Sequence, residues 1–189
     1  MSKIVEIFPT HIYTHQMNVD RQPLIDYADS CAYDVGDLKQ STNHHIHREP
    51  VFKRLFSQIQ ECLDEYQQLY HYSCDRIMPS LSWINKSTAD EQHHIHNHPN
   101  SLLSGVYYLT DCSPTYFLNP ANLGRSGVVV LSDIEDVWEY KPEAGDLIIF
   151  PSWLEHYTEP GSNRCTISFN AMPTGYANRY TLIEHYYGN

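Results

Sequence analysis

Positive charge is scarce in this chain. Its 189 residues include only 12 Lys plus Arg against 23 Asp plus Glu, a formal charge of −11 at pH 7. A protein that grips phosphate backbones needs clustered cations to displace counterions, so nucleic acid is excluded as the expected partner, and an anionic membrane surface is disfavoured on the same ground. Long apolar runs are missing too. The longest, such as 128–131 and 147–150, are four residues, far below the roughly eighteen that a membrane-crossing helix requires. The stretch from Met1 to Glu6 has no apolar core of the kind that directs secretion, so the expected compartment is the cytoplasm, or the host cytoplasm for a phage-encoded chain. Cysteine is sparse and irregular: Cys31, Cys62, Cys74, Cys112 and Cys165 form no CxxC pair. Neither a disulfide framework nor a thiolate zinc site is expected, and buried small side chains are the better reading. No linker composition, repeat or low-complexity tract divides the chain. At 22.0 kDa it fits one domain, with N-terminal strands and supporting helices over 1–78, a β-rich core over 79–175 and a C-terminal segment over 176–189.

What the chain has in abundance is histidine and tyrosine, 12 and 15 residues against 8 Gly. The pattern around them predicts two short strands at 4–8 and 11–16, broken at Pro9, and a helix over 22–33. A clearer helix runs from Pro50 to Tyr72. Phe52, Leu55, Phe56, Ile59, Cys62, Leu63, Tyr66, Leu69 and Tyr70 form a 3.6-residue stripe there, and Pro50 suits a helix start. After Pro79 short runs rich in Val, Ile, Tyr, Phe and Trp alternate with turn residues, predicting strands near 80–86, 93–98, 102–109, 115–118, 127–132, 136–140, 146–150, 153–158 and 164–171. So many short strands imply a barrel or sandwich, and the class is α+β, mainly β.

Two features carry candidate chemistry. A strand over Gln92–Pro99 would put His94, His96 and His98 on one face, about 7 Å between neighbours, where two imidazoles can converge on one cation. His156 is the candidate donor from a second row. Any one of these histidines alone reads as structural or solvated; an H-x-H pair with a distant His is the pattern of a metal held by imidazole with open positions. His44, His45 and His47, in a polar stretch before a helix, are expected in a solvated loop. The second feature is Arg164, which opens a strand dividing into Arg, Thr, Ser, Asn and Cys, Ile, Phe faces. Alternation alone leaves the polar face free to meet solvent or an interior anion. Its place eight residues after His156 suits a carboxylate bound between metal and guanidinium, with a hydroxyl two residues on as a further donor.

Together, Ser82–Asn85, His96–Leu109, Gly145–His156 and Arg164–Asn170 resemble the 2-oxoglutarate- and Fe(II)-dependent oxygenase superfamily, in particular its short bacterial and bacteriophage members. The resemblance implies a double-stranded β-helix, or cupin-like jelly roll, with supporting helices. It implies that His96 and His156 bind Fe(II), and that His98 falls where the family carries a carboxylate. Three alternatives stay open: His98 as a third neutral ligand, a site of two His plus water, or a carboxylate from elsewhere. His94 is the alternate ligand; Glu155 should point away from the face of His156. The resemblance also implies that Arg164 pairs with the distal carboxylate of 2-oxoglutarate, helped by Thr166, Tyr108 and Asn85. No catalytic group beyond the metal ligands is expected. The implied reaction couples oxidative decarboxylation of 2-oxoglutarate by O2 to hydroxylation of a substrate that the sequence does not identify, chosen by loops at 34–49 and 111–127. A cupin-type metalloprotein would want a glutamate soon after the H-x-H pair, and none stands between Pro99 and Leu109. A non-enzymatic jelly roll predicts no 2-oxoglutarate binding.

Overall fold

A computed structural model describes residues 9–34, 39–120 and 136–175. The strands expected at 4–8 and 127–132 and the segment 176–189 lie outside the described residues. Elsewhere, apart from 93–98, the alternating and helical patterns fold much as their periods dictate. The strands are β1 (Tyr13–Gln16), β2 (Arg76–Ser87), β3 (Leu103–Tyr108), β4 (Thr115–Leu118), β5 (Val137–Tyr140), β6 (Asp146–Pro151), β7 (His156–Thr158) and β8 (Arg164–Thr174). The α-helices are α1 (Gln22–Ser30) and α2 (Lys53–Leu69). Helix α1 stops three residues short of the expected end because Cys31 turns extended. The Pro50–Phe52 start of the long helix is a separate 3-10 turn.

The strands form a five-stranded sheet, β1-β6-β3-β8-β2, and a three-stranded sheet, β5-β4-β7, with every neighbouring pair antiparallel. This is the mainly β jelly-roll arrangement, with helices covering one face of the larger sheet. The stripe of α2 buries Leu55, Phe56, Ile59, Cys62, Leu63 and Tyr66, whereas Leu69, past the edge of that contact, is exposed. Against them lie Ile84 of β2, Leu103 and Tyr107 of β3, Leu147 and Ile149 of β6, and Ile167, Phe169 and Ala171 of β8, all in one apolar cluster. In β6 and β8 these positions recur at every second residue because strand side chains alternate between faces, and in β3 Gly105 takes the place between Leu103 and Tyr107. Between the two sheets a smaller cluster joins Tyr108, Phe117, Ile148, Phe150 and Leu154. Among the described residues, no helix is long and apolar enough to cross a membrane.

The polar face of β8 points inward. Arg164, Thr166, Ser168 and Asn170 are all buried, so the large sheet is apolar toward α2 and in part polar toward the smaller sheet. At Gly105 of β3 the missing side chain admits Phe169, its register partner on β8; a Cβ there would collide with the Phe169 ring. That ring in turn meets Phe56 of α2 edge-on, 6.2 Å between centroids. Gly105→Ala should therefore destabilise the fold by about 1–3 kcal/mol, as overpacking does in a close-packed core; urea unfolding, with an unchanged slope and a lower midpoint, checks this.

Candidate metal centre

His156 begins β7 and is 5% exposed. The segment 93–98 is not the expected regular strand. Only His96 forms a bridge, antiparallel to His156, through a pair of backbone hydrogen bonds of 3.0 and 2.9 Å. The His98 N–H is held by the Ser152 carbonyl at 2.9 Å, and His93 and Thr158 are tied by the Thr158 N–H to the His93 carbonyl at 3.0 Å. These bonds lace the segment along β7 without continuous pleating, so strict alternation fails in part: His96 and His98 turn to His156, but His94 does not. His94 is exposed, its ring 3.5 Å from the Gln92 amide, and this corrects its place as alternate ligand.

One ring nitrogen from each of His96, His98 and His156 lies within 4.8 Å of the others. His98 Nε2 and His156 Nε2 are 3.3 Å apart, close to the spacing of two donors that each sit roughly 2.1 Å from a shared ion. The tautomers are set by the backbone. His96 Nδ1 donates to the His94 carbonyl at 2.7 Å and His156 Nδ1 donates to the Leu154 carbonyl at 2.9 Å, since a carbonyl only accepts. Both Nε2 atoms therefore keep a lone pair for a metal, the arrangement by which outer hydrogen bonds orient metal-binding imidazoles. Burial, then the neighbouring His96 ring, lowers His98 to about 4 and His156 to about 3. Neutral imidazole is the metal-binding form. The donors present fit a divalent ion of the iron class. No carboxylate joins them among the described residues, and Glu155 is exposed.

A cavity of about 160 Å³ extends from the triad. Arg164, Thr166, Ser168, Asn85, Thr115 and His93 line it, along with the three histidines. Arg164, 6% exposed, is braced by its Nη2 donating to the Ser113 and Pro114 carbonyls at 2.6 and 3.1 Å and its Nη1 to Thr115 Oγ1 at 3.2 Å. Among the described residues it has no ion-pair partner. Asn85 is oriented by Trp83, whose Nε1 donates to Asn85 Oδ1 at 3.0 Å, and Asn85 Nδ2 reaches Ser168 Oγ at 2.7 Å.

Tyr108 departs from expectation. It does not line the cavity; its hydroxyl, fully buried and pushed up to about 12 by burial, is spent on Thr115 Oγ1 at 2.8 Å. Its β3 position faces the apolar cluster between the sheets, so it supports Thr115, which the sequence did not single out. The 44–47 cluster is also not a solvated loop: His47 is half-buried, with its backbone N–H donating to Ser82 Oγ at 2.9 Å and its Nδ1 2.7 Å from the same hydroxyl. Thr158 and Trp83 were likewise missed as cavity residues; nothing in alternation marks a wall built from two sheets.

Residues 81–170 match the family described as "Putative 2OG-Fe(II) oxygenase". Three solved structures share the fold. A prolyl-4-hydroxylase from Pseudomonas putida is 12% identical, with a TM-score of 0.62 over 88% of this chain and 94% of that one. HygX from Streptomyces hygroscopicus, with nickel, 2-oxoglutarate and hygromycin B bound, is 11% identical, with a TM-score of 0.62 over 89% and 85%. A prolyl hydroxylase from Trichoplax adhaerens, in complex with a hypoxia inducible factor peptide fragment, is 13% identical, with a TM-score of 0.61 over 86% and 83%. The matched span, a little under half of the chain, carries the triad and β8 from Arg164 to Asn170, and over that span the chain is similar to the 2-oxoglutarate- and Fe(II)-dependent oxygenases.

Proposed function

We propose that His96, His98 and His156 together hold Fe(II), that Arg164 and Thr166 receive the distal carboxylate of 2-oxoglutarate, and that the outcome is hydroxylation of a substrate. One observation carries this reading: three imidazoles and a buried arginine that has no acidic partner among the described residues line one small cavity. A buried guanidinium without a counter-ion is costly, and a bound carboxylate removes that cost through charge-assisted hydrogen bonds. Asn85, fixed by Trp83, turns its amide toward the same space. Bound Fe(II) supplies the redox chemistry that couples O2 and 2-oxoglutarate to substrate oxidation, with succinate and CO2 released. The protein's share is to hold the cosubstrate in register and to keep water out. The cavity is smaller than the roughly 300–1,000 Å³ of sites for drug-sized ligands, which suits one compact cosubstrate. The free thiols of all five cysteines accord with a reducing, cytoplasmic setting.

Anaerobic addition of Fe(II) and 2-oxoglutarate should give a weak visible charge-transfer band, followed by succinate on admitting air; loss of both in folded, metal-loaded protein would overturn the assignment. Arg164→Ala should raise the 2-oxoglutarate requirement roughly tenfold to a hundredfold, the worth of a hydrogen-bonded charge pair, while metal binding survives. Iron binding by equilibrium dialysis should disappear in His156→Ala and persist in His98→Asp, which installs a carboxylate donor. If His98→Ala holds iron as tightly as the parent protein, His98 is not a ligand.

A further inference from the structure

His93 is a cavity residue that this account leaves without a task. Its backbone is pinned on both sides to Thr158, with the His93 N–H donating to Thr158 Oγ1 at 3.0 Å and its carbonyl accepting from the Thr158 N–H at 3.0 Å. The ring lines the cavity with Arg164. It stands beside the triad, its centroid 6.2 Å from that of His96, but none of its nitrogens joins the triad's donor cluster. Neither ring nitrogen hydrogen-bonds to a described residue. A half-buried polar ring, fixed at its backbone on the wall of a cavity and without a partner among the described residues, is placed for a ligand.

Counting donors says which part of the ligand. A guanidinium has five N–H groups, and three of the bonds it can make are already given to Ser113, Pro114 and Thr115. A carboxylate offers about four acceptor sites, so Arg164 cannot fill them alone. An acceptor left unpaired in a desolvated cavity is costly. We infer that His93 donates a ring N–H to the same 2-oxoglutarate carboxylate that Arg164 receives, as a second anchor of the cosubstrate. The inference rests on the reading of the cavity proposed above.

Calorimetric titration of anaerobic Ni(II)-loaded protein tests both. The first probe is 2-oxoglutarate; the second is 2-oxopentanoate, which has the same chain length but no distal carboxylate. His93→Leu should weaken 2-oxoglutarate roughly tenfold or more, the worth of a hydrogen bond to a charged group, and leave 2-oxopentanoate within about twofold. His93→Gln, which keeps a side-chain N–H, should restore most of the loss. Combined with Arg164→Ala, His93→Leu should cost less than the product of the two single effects, because both act on one carboxylate. Ni(II) binding itself should be unchanged in each variant.

Equal loss for both probes, or wild-type 2-oxoglutarate affinity in His93→Leu, overturns the role of His93. Failure of the parent protein to bind 2-oxoglutarate at all overturns the reading of the cavity instead. Should the substitutions unfold the protein, ring-nitrogen NMR of the intact Zn(II)-loaded chain decides. One histidine N–H outside the metal donors should shift when 2-oxoglutarate is added, and no such shift overturns the inference.

Discussion

Strand β8 is the constraint on which the rest of the structure depends. It pairs β3 on one side and β2 on the other, so its backbone polar groups are consumed by its neighbours. With both edges occupied and both faces covered, every second side chain must be apolar or find a polar partner. Cys165, Ile167, Phe169 and Ala171 meet the first demand against α2. Arg164, Thr166, Ser168 and Asn170 meet the second by facing a cavity and its polar walls. The Asn170 amide oxygen accepts from Ser104 Oγ at 2.9 Å, and Ser104 is 2.8 Å from Ser152 Oγ, so the far end of the polar face reaches the turn that holds the His98 backbone. One strand thus positions Arg164 and, through two hydroxyls, steadies one side of the histidine triad.

The electrostatics follow from the same geometry. The chain is strongly acidic, yet no carboxylate among the described residues joins the triad or pairs with Arg164. Neutral imidazoles leave a divalent ion with its full charge, where a carboxylate ligand would cancel part of it. With an ion held as proposed, the cavity would present a metal-bound charge at one end and a guanidinium at the other, and a dianionic cosubstrate would balance both. Histidine in place of the usual carboxylate would then shift charge compensation from the protein to the cosubstrate.

How much of this was legible in the sequence depends on the range of the physics involved. The helix stripe of α2 and the alternation of β8 are local, and both fold as their periods require. Alternation could not say whether the polar face of β8 met water or an interior, because that depends on the second sheet. The 93–98 segment was misread as a regular strand. Its pairing with β7 is a single bridge plus scattered bonds, which brings His96 and His98 to His156, leaves His94 outside and puts His93 on the cavity wall. Tyr108 was placed in the right neighbourhood and one layer too close. Its hydroxyl reaches Thr115, a contact across seven residues that no period encodes.

The cavity's size locates what remains. At about 160 Å³ it has room for the one compact cosubstrate proposed for it, and contacts that select a substrate would then fall to its rim. Part of that rim is fixed by the segment from Gln40 to His47, which is tied to β2 by the Gln40–Asn85 and His45–Ser82 bridges and by the Ser41 N–H donating to the Ile84 carbonyl at 2.8 Å. Gln40 lines the cavity, and the exposed His44 ring lies 6.3 Å from that of Trp83, which forms part of the wall. The same edge strand that carries Asn85 inward thus carries this segment outward. A change at 40–44 is felt at the cavity through β2 itself: the backbone register that seats Gln40 against Asn85 also sets where Trp83, and with it the Asn85 amide, stands on the cavity wall.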